Sequence, residues 1–274
     1  LDISPILSDW PYRPEKITVR VVEGHDGHRK IQLRLDLGVL QMELDGRPDG
    51  RRIHDADSWL DYHQARQREH DKAHPDSVPY LLEPEDCAEL LREGVQYYHR
   101  YLSFWHLGHY ELCARDTERN LRLFAFVRNH ARGERDKLQF DQWRPYVTMM
   151  HARAVATPLV QLEQWEAAVN VLDAGIRGIE RFLADYNQQD RAARVGELTF
   201  LQRWKDEIKS MNAEPGSEPS KASSGGDADR PDSAVELQQE LRQAVAEERF
   251  EDAARIRDEL RQAGENPASG DVDP

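Results

Sequence analysis

The chain has 274 residues, 39% of them hydrophobic, with 51 Asp and Glu against 37 Lys and Arg and a net charge of −14. That acidity disfavours non-specific binding along a phosphate backbone, which needs clustered Lys and Arg. The two cysteines, Cys87 and Cys113, are too few for a disulfide scaffold or a four-cysteine zinc site, and no apolar run reaches the ~18 residues of a membrane span.

Both cysteines fall in helical patterns, as small buried apolar residues do. No signal peptide is visible, and the simplest reading is a soluble cytoplasmic protein. Residues 1–15 carry Pro5, Pro11 and Pro14 around Trp10 and Tyr12, which predicts an extended arm with Trp10 docked on the body. Residues 16–46 switch to period two. Ile17, Val19 and Val21, then Ile31, Leu33, Leu35 and Leu37, then Leu40, Met42 and Leu44 alternate with polar neighbours. One apolar face per strand predicts a three-stranded antiparallel meander, turning at Gly24–Gly27 and at Gly38. The next loop holds Arg47, Arg51 and Arg52 near Gly46 and Gly50. It reads as a solvated turn or as a place where backbone N–H groups and arginines hold an anion.

A helical body is expected over 57–212. Ser58 and Asp61 resemble a capping box ahead of a short helix to His70, and Pro84 opens a helix running to about Leu107. Gly108 stops that helix. Further helices are expected over about 110–131, 140–162, 164–186 and 194–212. Leu107-Gly108-His109-Tyr110-Glu111 and Leu162-Glu163-Gln164-Trp165-Glu166 both resemble the turn of a tetratricopeptide repeat. They lie 55 residues apart, not the ~34 of a regular array. The body is therefore read as a degenerate tetratricopeptide-like domain, and the fold class as α+β, mostly α, with the meander packed on the helices.

Two chemistries are legible in the body. Arg115 and Arg119 are i, i+4 neighbours in a charge-dense helix start, where they could receive an acidic peptide or join helices through ion pairs. The 11 histidines include His99, His106, His109 and His151, weak candidates for a metal group. His70 and His74 have helical metal-ligand spacing, but Pro75 ends that helix at once. No phosphate loop, dinucleotide fingerprint, nucleophile elbow or paired-cysteine motif is present, and no cofactor is expected.

Residues 213–232 contain no aromatic and no large aliphatic residue, so a disordered linker spanning about 25 Å is expected. Beyond it, Leu237, Leu241, Ala244 and Val245 make one apolar helical stripe, and Phe250, Ala253, Ala254, Ile256 and Leu260 make a second. Glu247-Glu248-Arg249 separates them. A helical hairpin over 233–263 follows, with a disordered tail over 264–274. So small a hairpin cannot bury both stripes alone.

The residues Leu237, Leu241, Ala244, Val245, Glu248, Phe250, Glu251, Ala253, Ala254, Arg257 and Asp258 resemble the UVR motif. That motif is the short module of the UvrB and UvrC excision-nuclease subunits, of McsA-type kinase regulators and of some Clp ATPases. The plainer alternative is an ordinary acidic hairpin or coiled coil. The resemblance implies a bacterial interaction protein. Its hairpin would pair with a partner's hairpin or a second copy through Leu237, Leu241, Val245, Phe250, Ala253, Ala254, Ile256, Arg257, Asp258 and Leu260. Repair and protein quality control are both compatible settings. The enzymatic parts of those families, and the zinc fingers of the kinase regulators, have no counterpart here. Two other readings remain at this point: a metal-dependent enzyme using the histidine group, and direct nucleic-acid binding through Arg47, Arg51 and Arg52.

Overall fold

The computed structural model describes residues 2–75 and 78–213. The chain divides into two units, Leu1–Glu214 and Pro215–Pro274, and the described residues belong to the first. The hairpin expected over 233–263 and the tail over 264–274 lie outside the described residues. So does the linker expected over 213–232, except that Ala213 ends the last helix.

The first unit opens with a short helix, α1 (Ser4–Asp9), where an extended arm was expected. Pro5 sits in its first turn, where a missing N–H costs nothing. The meander follows as β1 (Thr18–Glu23), β2 (Arg29–Leu35) and β3 (Gly38–Glu43), antiparallel in that order. Val19 pairs with Leu33 and Val21 with Ile31; Leu33 then pairs with Leu40 and Ile31 with Met42. These pairs share one face, and Ile31, Leu33 and Met42 are buried in it. Gly27 turns the first hairpin with φ +74°. The second turn is Asp36-Leu37, and Gly38 is already the first residue of β3. On the opposite face Trp10 docks as expected. Arg34 Nε donates to the Trp10 carbonyl at 2.7 Å, and the Arg20 guanidinium lies 4.1 Å from the Trp10 ring centre.

Seven helices complete the unit. They are α2 (Trp59–Ala73), α3 (Pro84–His106), α4 (Tyr110–His130), α5 (Glu134–Asp141), α6 (Arg144–Gln161), α7 (Trp165–Asp185) and α8 (Gly196–Ala213), with a 3₁₀ turn at Gln189–Arg194. Ser58 caps α2 as its sequence suggests, its Oγ accepting the Asp61 N–H at 3.1 Å. The Glu83 N–H donates to Asp86 Oδ2 at 3.0 Å at the head of α3. The helix expected over 140–162 begins at Arg144, and a separate short helix, α5, precedes it.

The two junctions that look alike in sequence close in the same way. At the end of α3 the His109 N–H reaches back to the Phe104 carbonyl at 2.9 Å, and Gly108 to Trp105 at 3.1 Å. At the end of α6 Gln164 reaches Leu159 at 2.8 Å, and Glu163 reaches Val160 at 3.0 Å. Gly108 and Glu163 both hold positive φ, +72° and +57°. This is the left-handed helix stop in which the last carbonyls find donors beyond the helix. α7 ends likewise at Asn187, φ +53°, with Gln188 reaching Leu183 at 2.7 Å. These stops fold α4 back on α3, α7 on α6 and α8 on α7, and α4 also packs on α6. α3 also packs on β1 and β2, giving the meander's apolar face its cover.

Candidate functional site

The densest chemistry of the described unit lies where α3 and α4 meet the loop after β3. On α3, Glu93, Tyr97, Arg100 and Phe104 recur at i, i+4, i+7 and i+11 and are all buried, so two charges occupy core positions of one helix face. Arg100 pairs with Asp116 of α4 through two parallel bonds, Nε to Oδ2 at 2.6 Å and Nη2 to Oδ1 at 3.0 Å. Its remaining nitrogen, Nη1, donates to the carbonyls of Glu43 at 3.1 Å and Gly46 at 2.9 Å. Arg115 joins Asp116 Oδ1 at 3.0 Å, Asp45 at 2.7 Å and the Leu44 carbonyl at 2.7 Å. The loop from Glu43 to Gly46 is thereby pinned by guanidiniums from both helices.

Glu93 is the second centre. Its carboxylate accepts the Trp59 N–H at 2.8 Å and the Leu60 N–H at 3.3 Å, so it caps the N-terminus of α2 from a different helix. It also meets Arg119 and the Arg47 guanidinium, Nη1 at 3.1 Å. That last contact is a close charge pair with poor hydrogen-bond direction, since Arg47 Nη1 has no hydrogen-bond partner among the described residues. Arg47 also grips Asp49 with two bonds, 3.0 and 2.7 Å. Burial pushes the Asp49 carboxyl up, but bonds from Arg47, the Arg51 N–H and Gln96 outweigh it and leave the group below the ordinary carboxylate range. The Tyr97 ring separates the two centres, with the Arg119 guanidinium 4.0 Å and the Arg100 guanidinium 4.8 Å from its centre.

Four guanidiniums (Arg47, Arg100, Arg115, Arg119) thus face four carboxylates (Asp45, Asp49, Glu93, Asp116). Guanidiniums stay charged at any working pH, so the group is a fixed, closed clamp. Of the residues read as peptide or anion contacts, Arg47 and Arg119 are buried in this clamp and Arg115 is half-buried in it. Arg51 and Arg52 stay on the surface, Arg52 pairing with Asp57 at 3.3 Å. An open cleft of about 390 Å³ lies beside them, with His28, Lys30, Glu43 and Asp57 in its walls. Its charges are mixed, and Lys30 is already paired with Asp26 at 2.7 Å and with Glu43.

The histidines singled out in the sequence are placed apart by role. His99 is half-buried on α3, and burial lowers its basicity. Burial likewise lowers the basicity of His151 on α6, whose Nδ1 lies 3.1 Å from Thr117 Oγ1 and 3.2 Å from the Ala114 carbonyl. His109 sits at the α3–α4 turn with its ring 6.3 Å from that of Phe104, and His106 is exposed on the last turn of α3. Among the described residues no three His, Cys, Asp or Glu side chains converge as a metal centre requires.

Sequence reasoning passed over Glu93, Arg100 and His63. The signal for the first two was present: charged residues at the core positions of the apolar stripe of α3. His63 lies one turn after Trp59 and three residues after Leu60, and its burial against Tyr80 depends on a segment 17 residues away.

Residues 233–265 match the family model described as the UvrB/uvrC motif. This motif is a protein-interaction module of DNA-repair and related proteins. No characterised protein and no solved structure matches the chain. No helix among the described residues is long and apolar enough to cross a membrane.

Proposed function

We propose that the chain is a non-catalytic adaptor whose residues 233–265 pair with a helical hairpin of a partner protein. The observation that supports this is the UvrB/uvrC motif match over those residues, together with two apolar stripes in a segment too short to bury them alone. Phe250 is the anchor of the pairing, because buried aromatics carry most interface energy. Leu237, Leu241, Val245, Ala253, Ala254, Ile256 and Leu260 surround it, and Arg257 and Asp258 set its direction.

In this reading the helical body is a tetratricopeptide-like platform, and the charge clamp keeps loop 43–49 fixed on it. A protein partner is favoured over DNA by the net charge of −14. The setting is cytoplasmic, in excision repair or in protein quality control. Affinity capture from a lysate of the source organism, with the full chain and with Phe250→Ala, tests the pairing. A partner retained by the first and lost by the second is expected; identical capture by both would refute it. Sedimentation of the pure chain over a range of concentrations separates a foreign partner from a second copy.

A further inference from the structure

Helix α2 is held on the body by very little. Only Leu60 and His63 of its fifteen residues are buried, and its first N–H groups rest on the Glu93 carboxylate. His63 is therefore half of the buried face of the helix, and it is fully enclosed. Its Nδ1 lies 2.8 Å from the Tyr80 hydroxyl. Among the described residues its Nε2 makes no hydrogen bond, and the carboxylate of Asp86 on α3 stands 3.8 Å away. Asp86 is itself engaged at the head of α3 by the Glu83 N–H.

We propose that α2 is a proton-released latch: protonation of His63 undocks α2 while α3 and α4 stay together. The enclosed site tolerates the neutral imidazole, with Nδ1 accepting from the Tyr80 hydroxyl and the Nε2 N–H facing Asp86 beyond hydrogen-bond reach. The imidazolium keeps that unpaired Nε2 N–H, must turn Nδ1 into a donor, and adds a full charge with no carboxylate bonded to it among the described residues. A buried cation without such a partner is expensive. The groups around the ring do not reverse this. Asp86 attracts the proton from α3, Arg66 repels it from α2, and Tyr62 and Trp59 face the ring without charge. Tyr80 contacts two further imidazoles, His70 of α2 at 5.8 Å and His130 of α4 at 6.1 Å between ring centres. Burial outweighs the pull of Asp86, so the docked imidazole is less basic than a free one.

Docking is therefore fully supported above the ordinary histidine value of 6.5 and weakens as pH falls below it, where the undocked helix binds the proton better. Release leaves the clamp standing, because Glu93 keeps Arg47 and Arg119.

Hydrogen exchange of the full chain between pH 7.5 and 5.0, corrected for intrinsic rates, tests this. Protection across residues 62–72 is expected to fall below pH 6.5 with a limiting slope of about tenfold per pH unit, one proton per opening, while α3 and α4 keep theirs. Asp86→Asn retains an oxygen for the Glu83 N–H but removes the attracting charge, which makes the docked imidazole still less basic, so the loss of protection should start at the same pH but run deeper by pH 5.0. His63→Phe should make α2 protection independent of pH even though His70 and His130 remain. Unchanged protection in the natural chain, a parallel loss in α3 and α4, or the same slope in His63→Phe would overturn the proposal. Should His63→Phe fail to fold, a loss of α2 protection at pH 5.0 no deeper in Asp86→Asn than in the natural chain would overturn it.

Discussion

Arg100 and Asp116 face each other across the α3–α4 contact as a two-pronged ion pair, each about 1% exposed. A buried pair of this kind contributes little net stability, because desolvation offsets the attraction, but losing one partner strands the other. Asp116→Ala should therefore destabilise the first unit by about 3–5 kcal/mol. The double change Arg100→Met with Asp116→Leu should cost clearly less than the two single changes added together. Urea unfolding of the natural chain, Asp116→Ala, the two single changes and the double change measures this, and strict additivity would contradict the pairing.

Glu163 occupies a left-handed position that glycine fills at the equivalent stop, Gly108. Placing a side chain in that region costs about 1–2 kcal/mol, while glycine adds unfolded-state freedom that takes part of the gain back. Glu163→Gly should stabilise by about 0.5–1 kcal/mol, and Gly108→Ala should destabilise by a similar amount. Thermal unfolding midpoints moving in opposite directions would show both.

Gly175 of α7 lies where three helices converge. A Cβ there would stand 2.8 Å from the Ala152 Cβ of α6 and 3.1 Å from Leu201 Cδ1 of α8. Ala152 cannot swing away, so Gly175→Ala should cost about 1–3 kcal/mol by overpacking. Gly38→Ala, with nothing near its added carbon, is the control that should stay close to the natural chain in the same denaturation series.

Burial raises the Cys87 thiol to about 12. At pH 8 its thiolate fraction is then on the order of one in ten thousand, far below the roughly one quarter of a free thiol. Ellman's reagent at pH 8 should leave Cys87 unmodified in the native chain and react promptly after denaturation. Rapid native labelling at Cys87, located by peptide mapping, would contradict this burial.

The meander was legible in the sequence because Val19, Val21, Ile31, Leu33, Leu40 and Met42 alternate without a break, and period two has one structural meaning. α3 and its stop were legible for the same kind of reason: Pro84, a long apolar stripe and Gly108 agree with one another. α1 and α5 were not. α1 buries no residue and α5 only Phe140 and Asp141, so neither leaves an apolar period to read. The site was half-visible. Arg115 and Arg119 announce a charged interface, but their partners Asp45 and Glu93 lie 70 and 26 residues away. Local spacing carries no information about such distances. Nor does it show that Arg47 and Arg119 converge on a single carboxylate.

That convergence sets a rule for how the chain can vary. One carboxylate, Glu93, answers two backbone donors of α2 and two arginines from separate parts of the sequence. Shortening it to Asp would leave at least one of those four groups out of reach. A lone replacement at 93 thus strands two guanidiniums and two helix-end donors at once, so positions 47, 93 and 119 constrain one another.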